Sequence, residues 1–303
     1  MSRHIAAPLL FLALASCSDS GPSPDLGPSP DQPRVADVAR ELRPADRAPD
    51  RTLPRDQPET CPLTPPPQRA YVVGSLVDES GAPLKGGDII ICNHSCYTGK
   101  SSSTGSFCIE VKEAEALLFH AVENVLSAKH YGDMLFPLAI SAAELAAGVR
   151  RDVGNVTQPL LGAAVTLDPA KGGTLALGGG ATITVAPGVT EPPPLSPGPK
   201  DVALAKVAPE KLHPLLLASR AGAPTPALGI SLVPIGVTFT APISFVIPSS
   251  GLAAGATLDI YRASDKNGML EAHGTAKVNA SGQIVDESGG GLKALGLFVF
   301  YAK

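Results

Sequence analysis

Phe107-Cys108-Ile109-Glu110-Val111 sets an apolar side chain at every second position, the period of a β-strand with one buried face. The same signature recurs on either side. Upstream, Tyr71-Val72-Val73-Gly74-Ser75-Leu76-Val77 is β-prone and stops at the turn signal Asp78-Glu79-Ser80-Gly81-Ala82-Pro83, while Asp88 to Cys92 follows a second turn at Gly86-Gly87. Downstream, Leu117 to Val122 and Met134 to Ile140 are further candidate strands, and Ser141-Ala142-Ala143-Glu144 is a capping box that opens one short helix. The spacing predicts a small sandwich over residues 70–160.

Beyond it the pattern starts again. Ala163 to Leu167, Gly172 to Leu177 and Ala181 to Val185 are β-prone, Leu228, Ile230 and Leu232 alternate, and Val237 to Phe239, Ile243 to Ile247, Leu258 to Tyr261 and Leu297 to Tyr301 extend the series. Pro209 to Ser219 reads as a helix interrupted at Pro214, and Glu191 to Pro199 as a proline-rich loop. The expectation is an all-β chain of two β-sandwich domains, immunoglobulin-like or transthyretin-like, at 70–160 and 161–303, behind a disordered proline-rich linker.

Composition narrows the partners. Aromatic residues make up 4% of the 303 and tryptophan is absent, so the cores must come from aliphatic residues and no aromatic platform is available for stacking on sugars or bases. The net charge is −4 and no Lys/Arg cluster is dense enough to follow a phosphate backbone, which excludes nucleic acid as a partner.

At the N-terminus Arg3 and His4 precede an apolar run from Ile5 to Ala15, then Ser16 and Cys17. A positive end, an apolar middle and small residues at the cut are the parts of a secretory signal, and the run is well short of the ~20 residues that span a bilayer. Leu14-Ala15-Ser16-Cys17 resembles the lipobox of bacterial lipoproteins. That resemblance implies a signal peptide over 1–16, acylation of Cys17, and a membrane held as partner through the lipid; several acyl chains anchor firmly where one binds only marginally. Ser18 after the cysteine implies the outer membrane. From Ser18 to Arg69 the composition turns to Pro, Asp, Arg, Ser and Gly, with Gly21-Pro22-Ser23-Pro24-Asp25 nearly repeated as Gly27-Pro28-Ser29-Pro30-Asp31. Residues 17–69 therefore read as a lipidated cysteine and tether, whose reach is at most about 150 Å at ~3.1 Å per residue.

Four other cysteines remain: Cys61, Cys92, Cys96 and Cys108. An even number in an exported chain predicts two disulfides, with three pairings open. The competing reading is a metal site from Cys92, His94, Cys96 and Cys108, but zinc knuckles use tighter paired spacings and an oxidising compartment favours bridges. No metal or cofactor is expected. Nor is an enzyme: Gly-x-Ser-x-Gly, His-Glu-x-x-His and phosphate-binding glycine loops are all missing, although a triad assembled in space escapes a linear search. His120, His130, His213 and His273 stand isolated in sequence. Asp265-Lys266-Asn267-Gly268 resembles the start of a calcium loop, yet Leu270 and Ala276 occupy the positions of the required glycine and glutamate, so a hairpin turn is expected.

Two module families are similar to parts of the chain. Val73-Gly74-Ser75-Leu76-Val77-Asp78, Gly81-Ala82-Pro83-Leu84, Thr104-Gly105-Ser106-Phe107 and Asp152-Val153-Gly154-Asn155-Val156 together resemble the carboxypeptidase regulatory-like domain, which implies a noncatalytic sandwich. Thr182-Ile183-Thr184-Val185-Ala186-Pro187-Gly188, Leu232 to Ile243 and Ala276 to Val285 resemble the domain type of zonula occludens proteins and netrin receptors. Some of those modules cut themselves at a His-Phe-Ser or His-Phe-Pro step, and this chain has neither. The expected function is a non-catalytic envelope lipoprotein for binding, adhesion or spacing, with an envelope polysaccharide or protein as partner. The alternatives are an envelope-polymer hydrolase and a self-assembling surface protein. Lys100, Ser101, Ser102, Ser103 and Thr104, polar and braced by cysteines, are the first candidates for a binding loop, against the plainer reading of a solvated connection.

Overall fold

The computed structural model describes residues 61–126, 128–192, 198–248, 251–287 and 290–303. Cys17, the signal segment and the tether up to residue 60 lie outside the described residues, as do residues 193–197 of the proline-rich loop. Everything described belongs to one compact unit, Pro54–Lys303.

The chain is all-β. In the first half the strands are β1 (Ala70–Val77), β2 (Asp88–Cys92), β3 (Cys96–Lys100), β4 (Ser106–Val111), β5 (Glu115–Ala121), β6 (Asn124–Leu126), β7 (Lys129–Tyr131), β8 (Met134–Ile140) and β9 (Val149–Thr157), with helix α1 at Ala142–Ala147. They form a three-stranded sheet, β4-β1-β9, a four-stranded sheet, β3-β2-β5-β8, and the small ribbon β6-β7. β1 runs antiparallel to β4 and parallel to β9. The alternation of β4 is realised as read, with Phe107, Ile109 and Val111 buried and Cys108 and Glu110 half-buried. These side chains share one core with Ile89, Ile91, Leu117 and Phe119 of the facing sheet, so the two sheets form a sandwich. Gly74 is required within the β4-β1-β9 sheet, at the register shift between β1 and β9: a Cβ there would lie 2.6 Å from the Gly154 carbonyl oxygen and 2.7 Å from the Phe107 ring. The Ser141 capping box is complete, because its hydroxyl accepts from the Glu144 amide and the Glu144 carboxylate accepts from the Ser141 amide.

The second half holds β10 (Val165–Leu167), β11 (Gly173–Ala176), β12 (Thr182–Val185), β13 (Thr190–Glu191), β14 (Lys200–Val207), helix α2 (Pro214–Ala218), β15 (Leu228–Val233), β16 (Thr238–Pro248), β17 (Thr257–Ala263), β18 (Leu270–Val278), β19 (Gln283–Asp286), β20 (Leu292–Ala294) and β21 (Gly296–Ala302). They make one twelve-stranded sheet ordered β10-β14-β15-β21-β17-β18-β19-β16-β12-β11, with β13 and β20 also paired to β16. The sheet curls around a core that includes Ile183, Val202, Leu232, Phe245, Ile260, Phe298 and Phe300, and its end strands β10 and β11 come together. A sheet that nearly closes leaves little open edge for other chains to pair with. Pro214 does not interrupt a helix as expected. It is the first residue of α2, where its missing N–H costs nothing, and Pro209–Lys211 forms a separate 3-10 turn before it.

The halves share a core. Alternation in β21 sends Phe298 and Phe300 into the curled sheet and Leu297, Val299 and Tyr301 to the opposite side, where they join the same buried cluster as Leu135, Phe136 and Leu138 of the first half. A continuous aromatic stack crosses the junction: Phe107 lies 5.6 Å from Phe119, Phe119 stacks at 4.4 Å on Phe136, and Phe136 at 3.6 Å on His213. The Asp265 to Gly268 segment is the expected turn between β17 and β18. Gly268 has φ +71° there, and any Cβ would meet the Phe136 backbone at 2.4 Å.

Candidate functional site

The cysteines pair as Cys61–Cys108 and Cys92–Cys96, with Cα–Cα distances of 5.7 and 4.2 Å. Oxidised sulfur offers no thiolate to a metal, so the competing zinc reading loses its ligands. The longer bridge ties the first described residue to β4. The shorter one closes the hairpin β2–β3, in which Cys92 and Cys96 face each other, and the exposed tip between them leans on two acids: Asn93 and His94 reach Glu115, and Ser95 donates to Glu113.

The candidate binding residues 100–104 are not alike. Lys100 closes β3 and pairs with Asp88 across the hairpin at 2.5 Å. Ser101 is buried, and its hydroxyl accepts from the Gly87 amide at 2.9 Å while donating to the Leu84 carbonyl, which holds the preceding turn in place. Ser102, Ser103 and Thr104 form the exposed turn into β4, with the Ser102 and Thr104 hydroxyls 3.0 Å apart. Part of the supposed loop is therefore strand, and its one buried hydroxyl is spent on the backbone.

Each of the four histidines isolated in sequence has a local task. His120 pairs with Asp133 at 2.5 Å, and Asp133 also accepts from the Glu123 amide at 3.0 Å. His130 pairs with Glu123 at 2.6 Å, whose carboxyl is pushed up by burial and by neighbouring Asp133. Ser231 lies next to this group, but its hydroxyl donates to the Asp133 backbone carbonyl at 3.4 Å and not to an imidazole, so the nucleophile–base contact of a triad is not made. The His213 Nδ1 caps α2 by accepting from the Leu215 amide at 3.2 Å, and Nε2 donates to the Val153 carbonyl at 3.0 Å. Those two bonds require the neutral ring, in agreement with a pKa that burial lowers. His273 accepts from the Lys293 amide at 3.1 Å. Its pKa falls to about 4 through burial, with Arg262 and Lys293 adding to the effect.

One arrangement is not consumed by the fold. Arg220, in the turn after α2, lies over the rings of Tyr261 and Tyr301 at 4.1 and 4.4 Å. The two rings meet edge to face at 5.6 Å, and Arg220 and Tyr301 line a cleft of about 240 Å³ with Leu217, Pro224, Thr225 and Pro226. Arg220 Nη1 and the Tyr301 hydroxyl are both buried without a hydrogen-bond partner. Burial raises the Tyr301 pKa, partly offset by the guanidinium beside it, so the phenol keeps its proton. The three residues lie 41 and 40 positions apart in sequence, and only the pairing of β17 with β21 brings the rings together. No linear motif could have pointed to them.

No family model matches the chain, and no curated protein matches it. Two solved structures share a remote likeness. The TIE protein of Bacillus anthracis aligns with 78% of this chain and 48% of its own length, at 9% identity and a TM-score of 0.25. The chain thus spans about half of that protein. A candidate carbohydrate-binding protein from Bacteroides uniformis aligns over 78% and 80%, at 10% identity and a TM-score of 0.19. Similarity at this level identifies neither fold family nor function.

Proposed function

We propose that the chain is an exported lipoprotein of the bacterial envelope, anchored through Cys17 to the outer membrane, whose β-modules bind an envelope polysaccharide or protein without chemistry of their own. The carrying observation is the pair of disulfides, Cys61–Cys108 and Cys92–Cys96, which belong in an oxidising compartment. The lipobox-like Leu14 to Cys17 and the proline-rich tether agree with that location, and the segments similar to carboxypeptidase regulatory-like and zonula occludens/netrin-receptor modules agree with a noncatalytic role.

Two measurements test it. Labelling with a palmitate analogue in a bacterium that carries the protein should mark the wild type and not Cys17→Ser; equal labelling would sink the anchor. Residues 54–303, which hold both cores and both disulfides, should sediment saturably with one envelope fraction: peptidoglycan, outer-membrane polysaccharide or membrane protein. Recovery of the unit entirely in the supernatant would sink the binding role, and concentration-dependent oligomers of that unit would replace it with self-assembly.

A further inference from the structure

We propose that the cleft between Arg220 and Tyr301 is a binding site for a single carboxylate group on a small ligand, an inference that rests on the reading of the chain as a binding module and gives that reading a ligand class. Two polar groups of residues that line the cleft, Arg220 Nη1 and the Tyr301 hydroxyl, are buried without a partner in good hydrogen-bond geometry. Burial raises the phenol's pKa and the guanidinium lies close enough to its oxygen to offset part of that rise, while the phenolic hydrogen is left without an acceptor. A buried donor left without a partner loses its hydration and gains nothing in return, so such a group calls for an acceptor, supplied by a water, an ion or a ligand. Tyr301 as a residue is only 2% exposed.

Arg220 also lacks the usual means of neutralising its charge. Among the described residues no carboxylate pairs with it, whereas Arg69, Arg151 and Arg262 each have one. Instead its guanidinium lies over Tyr261 and Tyr301, whose rings stand edge to face, and these two contacts hold it in place.

The donor set selects the anion. One positive charge with two donors on different groups matches a monoanion with two oxygens, one oxygen taking the Nη1 hydrogen and the other the phenolic hydrogen. A phosphate or sulfate ester would bring a third oxygen that no further lysine or arginine among the lining residues meets. Leu217, Pro224 and Pro226 supply apolar walls beside the guanidinium, which lower the local polarity and strengthen the charged contact. At about 240 Å³ the cleft is below the roughly 300–1,000 Å³ of pockets that enclose drug-sized ligands, so it takes one end of a molecule and not an extended chain. A uronic acid and the carboxylate of a peptide both present that end.

Calorimetric titration of the oxidised 54–303 unit separates the two sources. The probes are glucuronate against glucose, and N-acetylalanine against N-acetylalaninamide, each neutral molecule keeping the frame without the charge. The expected result is saturable binding of one carboxylate and none of its neutral counterpart; the pair that responds names the source. Arg220→Gln should weaken binding about tenfold or more. Because that change also removes the stacking on both rings, Tyr301→Phe is the deciding variant: it keeps the ring and its packing, and should weaken binding severalfold with the melting temperature unchanged. Indifference to all four probes, or binding unaltered in Tyr301→Phe, overturns the site. If the unit still sediments with an envelope fraction in that case, the envelope-binding reading survives and only the cleft is lost.

Discussion

The two halves solve the same problem by different means. The first packs two short sheets face to face and carries both disulfides; the second has no cysteine at all after Cys108, and holds twelve strands in one sheet that nearly closes on itself. A small sandwich has little core relative to its surface and open sheet edges, so covalent links make up part of the deficit. A curled sheet of this size satisfies its own backbone and encloses its own core. What separates the halves is thus a dependence on cross-links, and this makes them separable by experiment.

The largest expected effect comes from removing the long bridge. Cys61→Ser with Cys108→Ser opens a link spanning 47 residues and should cost about 4 kcal/mol by the loop-entropy relation, against about 2 kcal/mol for the Cys92–Cys96 pair, which spans 4. Hydrogen exchange would show whether the loss stays within residues 61–160. Protection lost equally throughout would mean that the halves melt as one and that the contrast is only architectural.

Leu297→Ala tests the shared core from the other side. The side chain is fully buried among residues of the first half, and truncation should cost roughly 2–5 kcal/mol in urea unfolding. A second, separate unfolding step in this variant would show that β21 is what couples the halves.

His213→Ala removes a helix cap, a hydrogen bond to Val153 and the end of the aromatic stack, for about 2 kcal/mol in total. The same residue, with His273, makes stability depend on pH. Both rings are held neutral in the fold with pKa values below the ordinary 6.5, His273 at about 4. Between about 6.5 and 4 the unfolded chain binds more protons than the folded one, so stability is full above that window and falls as pH drops through it. Melting curves at pH 7 and 5 should differ less in His273→Gln than in the wild type; an unchanged difference would place the titration elsewhere.

The smallest effect distinguishes a structural hydroxyl from a solvated one. Ser101→Ala strips two bonds from a buried site and should cost about 1–2 kcal/mol, whereas Ser103→Ala should stay within about 0.5 kcal/mol. Equal values would mean that burial of Ser101 contributes nothing to the turn it braces.

Local patterns carried the all-β reading well. The period of two in Phe107 to Val111, the runs Asp88 to Cys92 and Met134 to Ile140, and the Ser141 capping box all report on neighbours a few residues away, and all appear where the residues put them. Cys96 to Lys100 was hidden inside a serine-rich stretch because its burial is weak on both faces. Leu297 to Tyr301 was legible as a strand, but its unbroken apolar run also signals burial on both faces, which is how it joins two cores. Pairing of the cysteines was open in sequence because it depends on which strands meet. The Arg220 cleft was invisible for the same reason: a turn and two strands meet there only once the sheet exists.

β21 lies between β15 and β17, yet it is made after both. Synthesis delivers the two flanking strands first and the strand that joins them last, so for as long as the ribosome is still short of Gly296 the large sheet has a gap in its middle. A chain stalled at that point offers two unpaired edges, one on each side of the missing strand, and edges of that kind invite strands from other molecules. The residues of β21 decide whether the strands made before them close on themselves or on a neighbour.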